Sequence, residues 1–155
     1  MTPQAIPSVV LTGDLIELMD LQGIIPWDAG KFADAAYALP DAGWVGDEFA
    51  LAFRSFIMQL KQGTWTSEAN DCDDFARAAA FFAQYLHHNT PDKSKGTSLA
   101  FGEFWYEPSG GPHAINIFVY RDAAGALRVG FFEPQTFMVV QLSVREWQSC
   151  AYYRF

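Results

Sequence analysis

Apolar residues recur at helical spacing in the first half of the chain and run as strands in the second. The clearest helical face lies over 47–61, where Phe49, Phe53, Phe56, Ile57 and Leu60 fall at offsets of 0, 4, 7, 8 and 11, the spacing that lines up one buried side of a helix. Asp47 or Gly46 stands at its start as a cap. A second helix is predicted over 71–88, with Asp71 as N-cap, Asp73 and Asp74 in the first turn, and Pro91 and Gly96 beyond its end. Its Ala76, Ala79, Ala80 and Ala83 form a stripe of small residues, which predicts close approach to a neighbouring element. His87 and His88 fall in its last turn, where a cation complements the helix dipole. Before residue 60, Pro3, Pro7, Gly13, Gly23, Pro26, Gly30, Pro40, Gly43 and Gly46 divide the chain into short helical pieces joined by turns.

From Ser98 onward, β-branched and aromatic runs at 99–106, 113–120, 127–132 and 137–142 read as strands, with 151–155 as a further candidate. Short connections at 108–112 and 122–125 predict an antiparallel meander. Helices first and strands after predict an α+β class, with N-terminal helices packed on a C-terminal antiparallel sheet. A length of 155 residues fits one domain, 1–155, with a helical part over about 1–95 and a sheet part over about 96–155.

Composition narrows the partners. Half the residues are apolar, 16% are aromatic and 18% are charged, which supplies a core and excludes intrinsic disorder. Ten bases against eighteen acids give −8, and no stripe of Lys and Arg is available to neutralise phosphates, so nucleic acid is not an expected partner. No apolar run reaches the roughly 18–20 residues that span a bilayer, so no membrane span is expected. No basic residue precedes Lys31, and Cys72 and Cys150 are the only cysteines. These features predict a cytoplasmic protein, or one released without a recognisable signal peptide.

The acids are concentrated at one place. Glu68, Asp71, Asp73 and Asp74 fall within seven positions, and no Lys or Arg lies between Lys61 and Arg77. Cys72 sits among them in the first turn of the predicted helix, where unpaired N–H groups and the helix dipole favour a thiolate. The flanking carboxylates act against that, since like charge raises a thiol pKa. A bound cation resolves the conflict, because several carboxylates within one turn supply the hard oxygens Ca2+ prefers. The run is not an EF-hand loop, which needs Gly at position 6 where counting from Asp71 gives Ala76. Helix caps facing water are the other reading of the same three aspartates.

Two further pieces lie in the strands. His113 opens a strand after a Gly/Ser/Pro turn, either as a strand-end residue or, beside Cys72, as a general base. Glu133 and Gln135 point to one face, two residues apart, around Pro134. Glu133 is placed either in solvent or next to His113, where it would orient the imidazole.

Together, Asp-Cys-Asp-Asp-Phe at 71–75, His113-Ala114 and Glu133-Pro134-Gln135 resemble the papain-like, calcium-dependent cysteine protease domain at the C-terminal end of the fairy-ring mushroom agglutinin. About forty residues separate Cys from His and about twenty separate His from Glu, and the likeness covers roughly 65–136. The resemblance implies a papain-like fold and a cysteine protease acting on a protein or peptide, with Cys72 as nucleophile, His113 as base and Glu133 as orienting acid. It implies activation by Ca2+ or a similar ion such as Mn2+, held by Asp71, Asp73, Asp74 and Gln135, with Glu133 shared. Trp65, Gln62 and Asn70 are candidates for a side-chain oxyanion donor. The agglutinin's sugar-binding trefoil has no counterpart in these residues. Its protease domain forms a dimer, and no surface signature of one is readable here. The rival readings are an acyltransferase or peptidoglycan amidase with the same triad, and a non-catalytic calcium-binding interaction module.

Overall fold

The computed structural model describes residues 9–21, 30–61, 63, 64, 66, 70–90 and 96–155. Gln62, Trp65, Glu68 and Pro91 therefore lie outside the described residues. The chain runs β1 (Val9–Leu11), α1 (Thr12–Leu21), β2 (Gly30–Lys31), β3 (Ala36–Ala38) and α2 (Ala42–Trp44), then through a π-helical turn (Val45–Phe49) into α3 (Ala50–Gln59). There follow α4 (Cys72–His88), β4 (Ser98–Leu99), β5 (Phe101–Tyr106), β6 (His113–Arg121), β7 (Leu127–Glu133), β8 (Met138–Val140), α5 (Val144–Gln148) and β9 (Tyr152–Arg154).

These strands form two sheets, one ordered β1-β3-β4 and one ordered β2-β9-β5-β6-β7-β8. The run from β5 to β8 is an antiparallel meander, with Trp105 opposite Ala114, Ile117 opposite Phe131 and Glu133 opposite Met138. The expected layout, a papain-like α+β fold with N-terminal helices on a single C-terminal antiparallel sheet, is corrected on two counts. The N-terminal half supplies β1, β2 and β3 to the sheets, and both sheets are mixed, since β2 runs parallel to β9 and β3 parallel to β4. Strands of two or three residues carry too little alternation to announce themselves, and their partners lie far along the chain.

Side chains of β6 divide between two cores. Ile115, Ile117 and Val119 pack with Leu15, Met19, Tyr37, Phe104, Phe131 and Tyr153 on one side of the large sheet. Phe118 packs with Phe49, Phe53, Phe82, Phe101 and Phe132 on the other. A strand buried on both faces reads as a nearly continuous apolar run rather than an alternation, which is the pattern of Ala114 to Val119 apart from Asn116.

The first long helix starts earlier than its periodicity predicts. Asp41 caps α2 by accepting from Trp44 N at 2.9 Å, and the π turn then carries the chain into α3. Val45 and Phe49, at the two ends of this turn, are both fully buried. Along α4, Ala76, Ala79 and Ala83 have no exposure, and this bare stripe lets the helix lie against β5 and β6. The buried Asn116 amide fastens the contact, donating to Ala76 O at 2.7 Å and Gly102 O at 2.9 Å.

His87 does not act as an exposed cation on the helix dipole. It is buried, its Nε2 lies 3.1 Å from Thr97 O, and burial pushes its pKa below the ordinary 6.5. The folded protein therefore keeps His87 neutral at a pH where the unfolded chain takes up a proton. The stability this provides is complete above about pH 6.5 and is lost as pH falls from there towards the lowered native value. Thermal unfolding from about pH 8 to about pH 5 is expected to show a shallower acid loss for His87→Gln than for the wild type. Parallel profiles would count against it.

Candidate functional site

The loop leading into α4 is tied before the helix begins. Thr66 and Asn70 exchange backbone hydrogen bonds at 2.8 Å, and the Asn70 amide donates to Thr64 O at 2.7 Å. One donor of that amide thus helps to hold the loop. Asp71 follows in extended backbone at the N-cap position, but its side chain makes no capping hydrogen bond.

Asp71, Asp73 and Asp74 gather here, each half-buried, with one ligand atom apiece lying within 4.8 Å of the others. Arg77 reaches back one turn to Asp73 Oδ2 at 2.9 Å and Asp74 Oδ1 at 3.5 Å. The Asp73 carboxyl is held below its ordinary range, first by a side-chain hydrogen bond with Asp71 and then by Arg77, against the effect of its partial burial. Two carboxyl groups in such contact share a proton or a cation. The donor set is all hard oxygen, which suits Ca2+.

Cys72, half-buried, is the first residue of α4. His113 opens β6 opposite Tyr106 of β5, whose ring meets the imidazole edge-on at 5.8 Å. Glu133 closes β7, and because β6 and β7 pair, His113 Nε2–H donates to Glu133 Oε2 at 2.6 Å. The other carboxylate oxygen of Glu133 accepts from Gln135 N at 3.0 Å. The Gln135 side-chain nitrogen is buried without a hydrogen-bond partner. The Tyr106 phenol is pushed up to about 12, first by burial and then by the negative charges of Glu146, Glu133 and Cys72. Cys72, Tyr106, His113 and Glu133 therefore share one neighbourhood, yet among the described residues no hydrogen bond joins Cys72 to His113. The acid group of three aspartates does not extend to Glu133.

The sequence did not point to a cleft of about 320 Å³ between α4 and strands β5 and β9. Arg77, Phe81 and Gln84 line it from the helix, Glu103 from β5, Arg154 from β9 and Asp34 from the chain before β3. One local signal was present, the spacing of Arg77, Ala80, Phe81 and Gln84 on a single face of α4.

No family model and no curated protein matches the chain. Among solved structures it is similar to the PSL1a-E64 complex, with a TM-score of 0.71 and 24% identity over 95% of this chain and 51% of that one. It is similar also to a Polyporus squamosus lectin bound to the human-type influenza-binding epitope Neu5Aca2-6Galb1-4GlcNAc, with a TM-score of 0.70 and 24% identity over 95% of this chain and 49% of that one. The chain spans about half the length of these neighbours, and at this identity the likeness is one of fold. The expected papain-like cysteine protease domain, and with it the metal-activated peptidase and hydrolase function, is corrected by these findings. The structures that share the fold are those of a lectin, and no family or curated match supports a protease.

Proposed function

We propose that the chain is a non-catalytic interaction module of a carbohydrate-binding protein, with a divalent cation at Asp71, Asp73 and Asp74 bracing the start of α4. The observation that carries this reading is the gathering of three carboxylate ligand atoms within 4.8 Å at a helix start. Ca2+ bound there neutralises charges that otherwise repel and ties the Thr66–Asn70 loop to the helix. Mn2+ offers similar chemistry. Glu133 and Gln135 are less available as ligands, since the Glu133 oxygens already accept from His113 and from the Gln135 backbone. The fold shared with half of a lectin chain, one bound to a sialylated epitope, favours a glycan over a peptide as the partner class. Among the described residues no helix is long and apolar enough to cross a membrane.

Calcium is expected to raise the unfolding temperature of the wild type and to leave Asp73→Asn unchanged. At a hundredfold excess over the dissociation constant the stabilisation is about 2.7 kcal/mol. An unfolding temperature insensitive to both Ca2+ and Mn2+ would remove the cation from this reading. Amide hydrolysis that disappears on Cys72→Ala would show the module to be catalytic.

A further inference from the structure

The cleft beside α4 holds an acid and a base that face each other without joining. Glu103 and Arg154 are register partners across β5 and β9, so their side chains stand on one face of the sheet. Yet among the described residues the Arg154 side chain makes no ion pair or hydrogen bond. Glu103 is 9% exposed, and its hydrogen bond to the Trp105 indole is long, at 3.4 Å. A nearly buried carboxyl group with so weak a donor is expected to take a better one when it is offered. At the rim, Phe81 is 63% exposed, its ring stacked on Tyr85 at 6.5 Å. An apolar ring face is thus presented to water beside an acceptor and a donor.

Charge selects among the ligands that such a lining could hold. Asp34 and Glu103 balance Arg77 and Arg154, and one group of each sign is already engaged, Asp34 Oδ2 accepting from Ser98 Oγ at 2.6 Å and Arg77 paired with Asp73 at 2.9 Å, so neither sign is left in excess. An anion needs a positive excess here and a cation a negative one. A neutral polyol needs neither, because adjacent hydroxyls donate to a carboxylate and accept from a guanidinium while the C–H face of the ring lies on an aromatic side chain. At about 320 Å³ the cleft is at the small end of the usual ligand-pocket range of about 300–1,000 Å³, room for a single ring rather than an extended chain.

We propose that this cleft, between the Arg77–Gln84 face of α4 and the Glu103/Arg154 pair of the sheet, binds one neutral hexose unit, with Phe81 beneath the ring and Glu103 and Arg154 on its hydroxyls. This rests on the reading of the chain as a carbohydrate-binding module and assigns that reading a site and a ligand class.

The test is an amide-resolved NMR titration of the full chain with methyl β-galactoside, methyl α-mannoside, methyl N-acetyl-β-glucosaminide and the methyl glycoside of N-acetylneuraminic acid. At least one neutral glycoside is expected to give saturable shifts at Ser98, Gly102 and Arg154. Phe81→Ala and Glu103→Gln are each expected to weaken that binding at least about tenfold. Phe81 is exposed, so its variant folds and a loss of binding reports contact with the ligand. No saturable shift with any neutral glycoside, tighter binding of the acidic sugar, or shifts unaltered by Phe81→Ala would each overturn the proposal. Calcium melts on the same samples separate the two readings. Stabilisation by calcium without sugar shifts overturns the cleft alone, and sugar shifts without a calcium response overturn the cation alone.

Discussion

Gly102→Ala is expected to separate β9 from β5 and to destabilise the protein by about 4 kcal/mol or more, a loss reserved for changes the fold cannot absorb. A Cβ at this position would lie 1.7 Å from Arg154 O, 2.7 Å from Arg154 C and 3.0 Å from Phe155 Cα. All three are backbone atoms of the neighbouring segment, so no side-chain rotation relieves the overlap. Either β9 moves out or β5 bends. Both motions disturb Tyr153 and Phe155, which are buried in the core on the α1 side of the sheet. Urea unfolding measures the effect directly. Gly130→Ala is a useful contrast, because its Cβ would meet the ring of Phe118, a side chain rather than the backbone of a neighbouring strand. Equal midpoints for wild type and Gly102→Ala would show that the two strands are not held this close.

Phe49→Ala comes second in expected effect. The ring sits among five others, with centroids 4.9 Å from Phe101, 5.3 Å from Trp44 and from Phe132, 5.9 Å from Phe53 and 6.1 Å from Phe82. It joins the π turn, α3, α4 and two strands of the large sheet, and it has no exposure. Truncating such a ring removes its transfer free energy and leaves a cavity that rigid neighbours cannot fill, at a cost of about 3–5 kcal/mol. Chemical denaturation is expected to show a loss of that size, with Phe49→Leu recovering part of it by filling some of the volume. Phe81→Ala, on the exposed side of α4, is expected to change stability little. A small loss for Phe49→Ala would mean that the aromatic cluster closes around the gap.

Elements whose stabilising contacts lie within their own sequence were legible. The helix α4 was readable because Asp71, Pro91 and Gly96 mark its ends and its alanines repeat at helical spacing. The meander from β5 to β8 was readable because each strand is long enough to show aromatic and β-branched runs between turns. By contrast, β2 and β3 are specified by partners in β9 and β4, and two or three residues carry no period of their own. The start of the helix that contains Phe49 was misplaced, since a π turn breaks the expected repeat at the point where it would be recognised. The candidate site divides in the same manner. Asp71, Asp73 and Asp74 are neighbours in sequence, and the contact of His113 with Glu133 follows from a short turn between paired strands. The cleft is built from distant segments, so no motif could mark it. The short runs around Cys72, His113 and Glu133 were enough to suggest a protease family, but they cover few positions, and the solved structures that share the fold are those of a lectin.

The placement of β9 between β2 and β5 has a consequence for how the protein is made. Gly30 and Lys31 pair with Tyr153 and Arg154, so a strand synthesised early waits for one synthesised more than a hundred residues later. At translation rates of about 5–20 residues per second, that interval is roughly 6–25 s. The edge of β5 that pairs with β9 stays open for the later part of that interval, from residue 106 to residue 152, roughly 2–9 s at the same rates. A nascent chain in this condition is a natural client for chaperones, and slowing its release from the ribosome is expected to increase aggregation rather than improve folding.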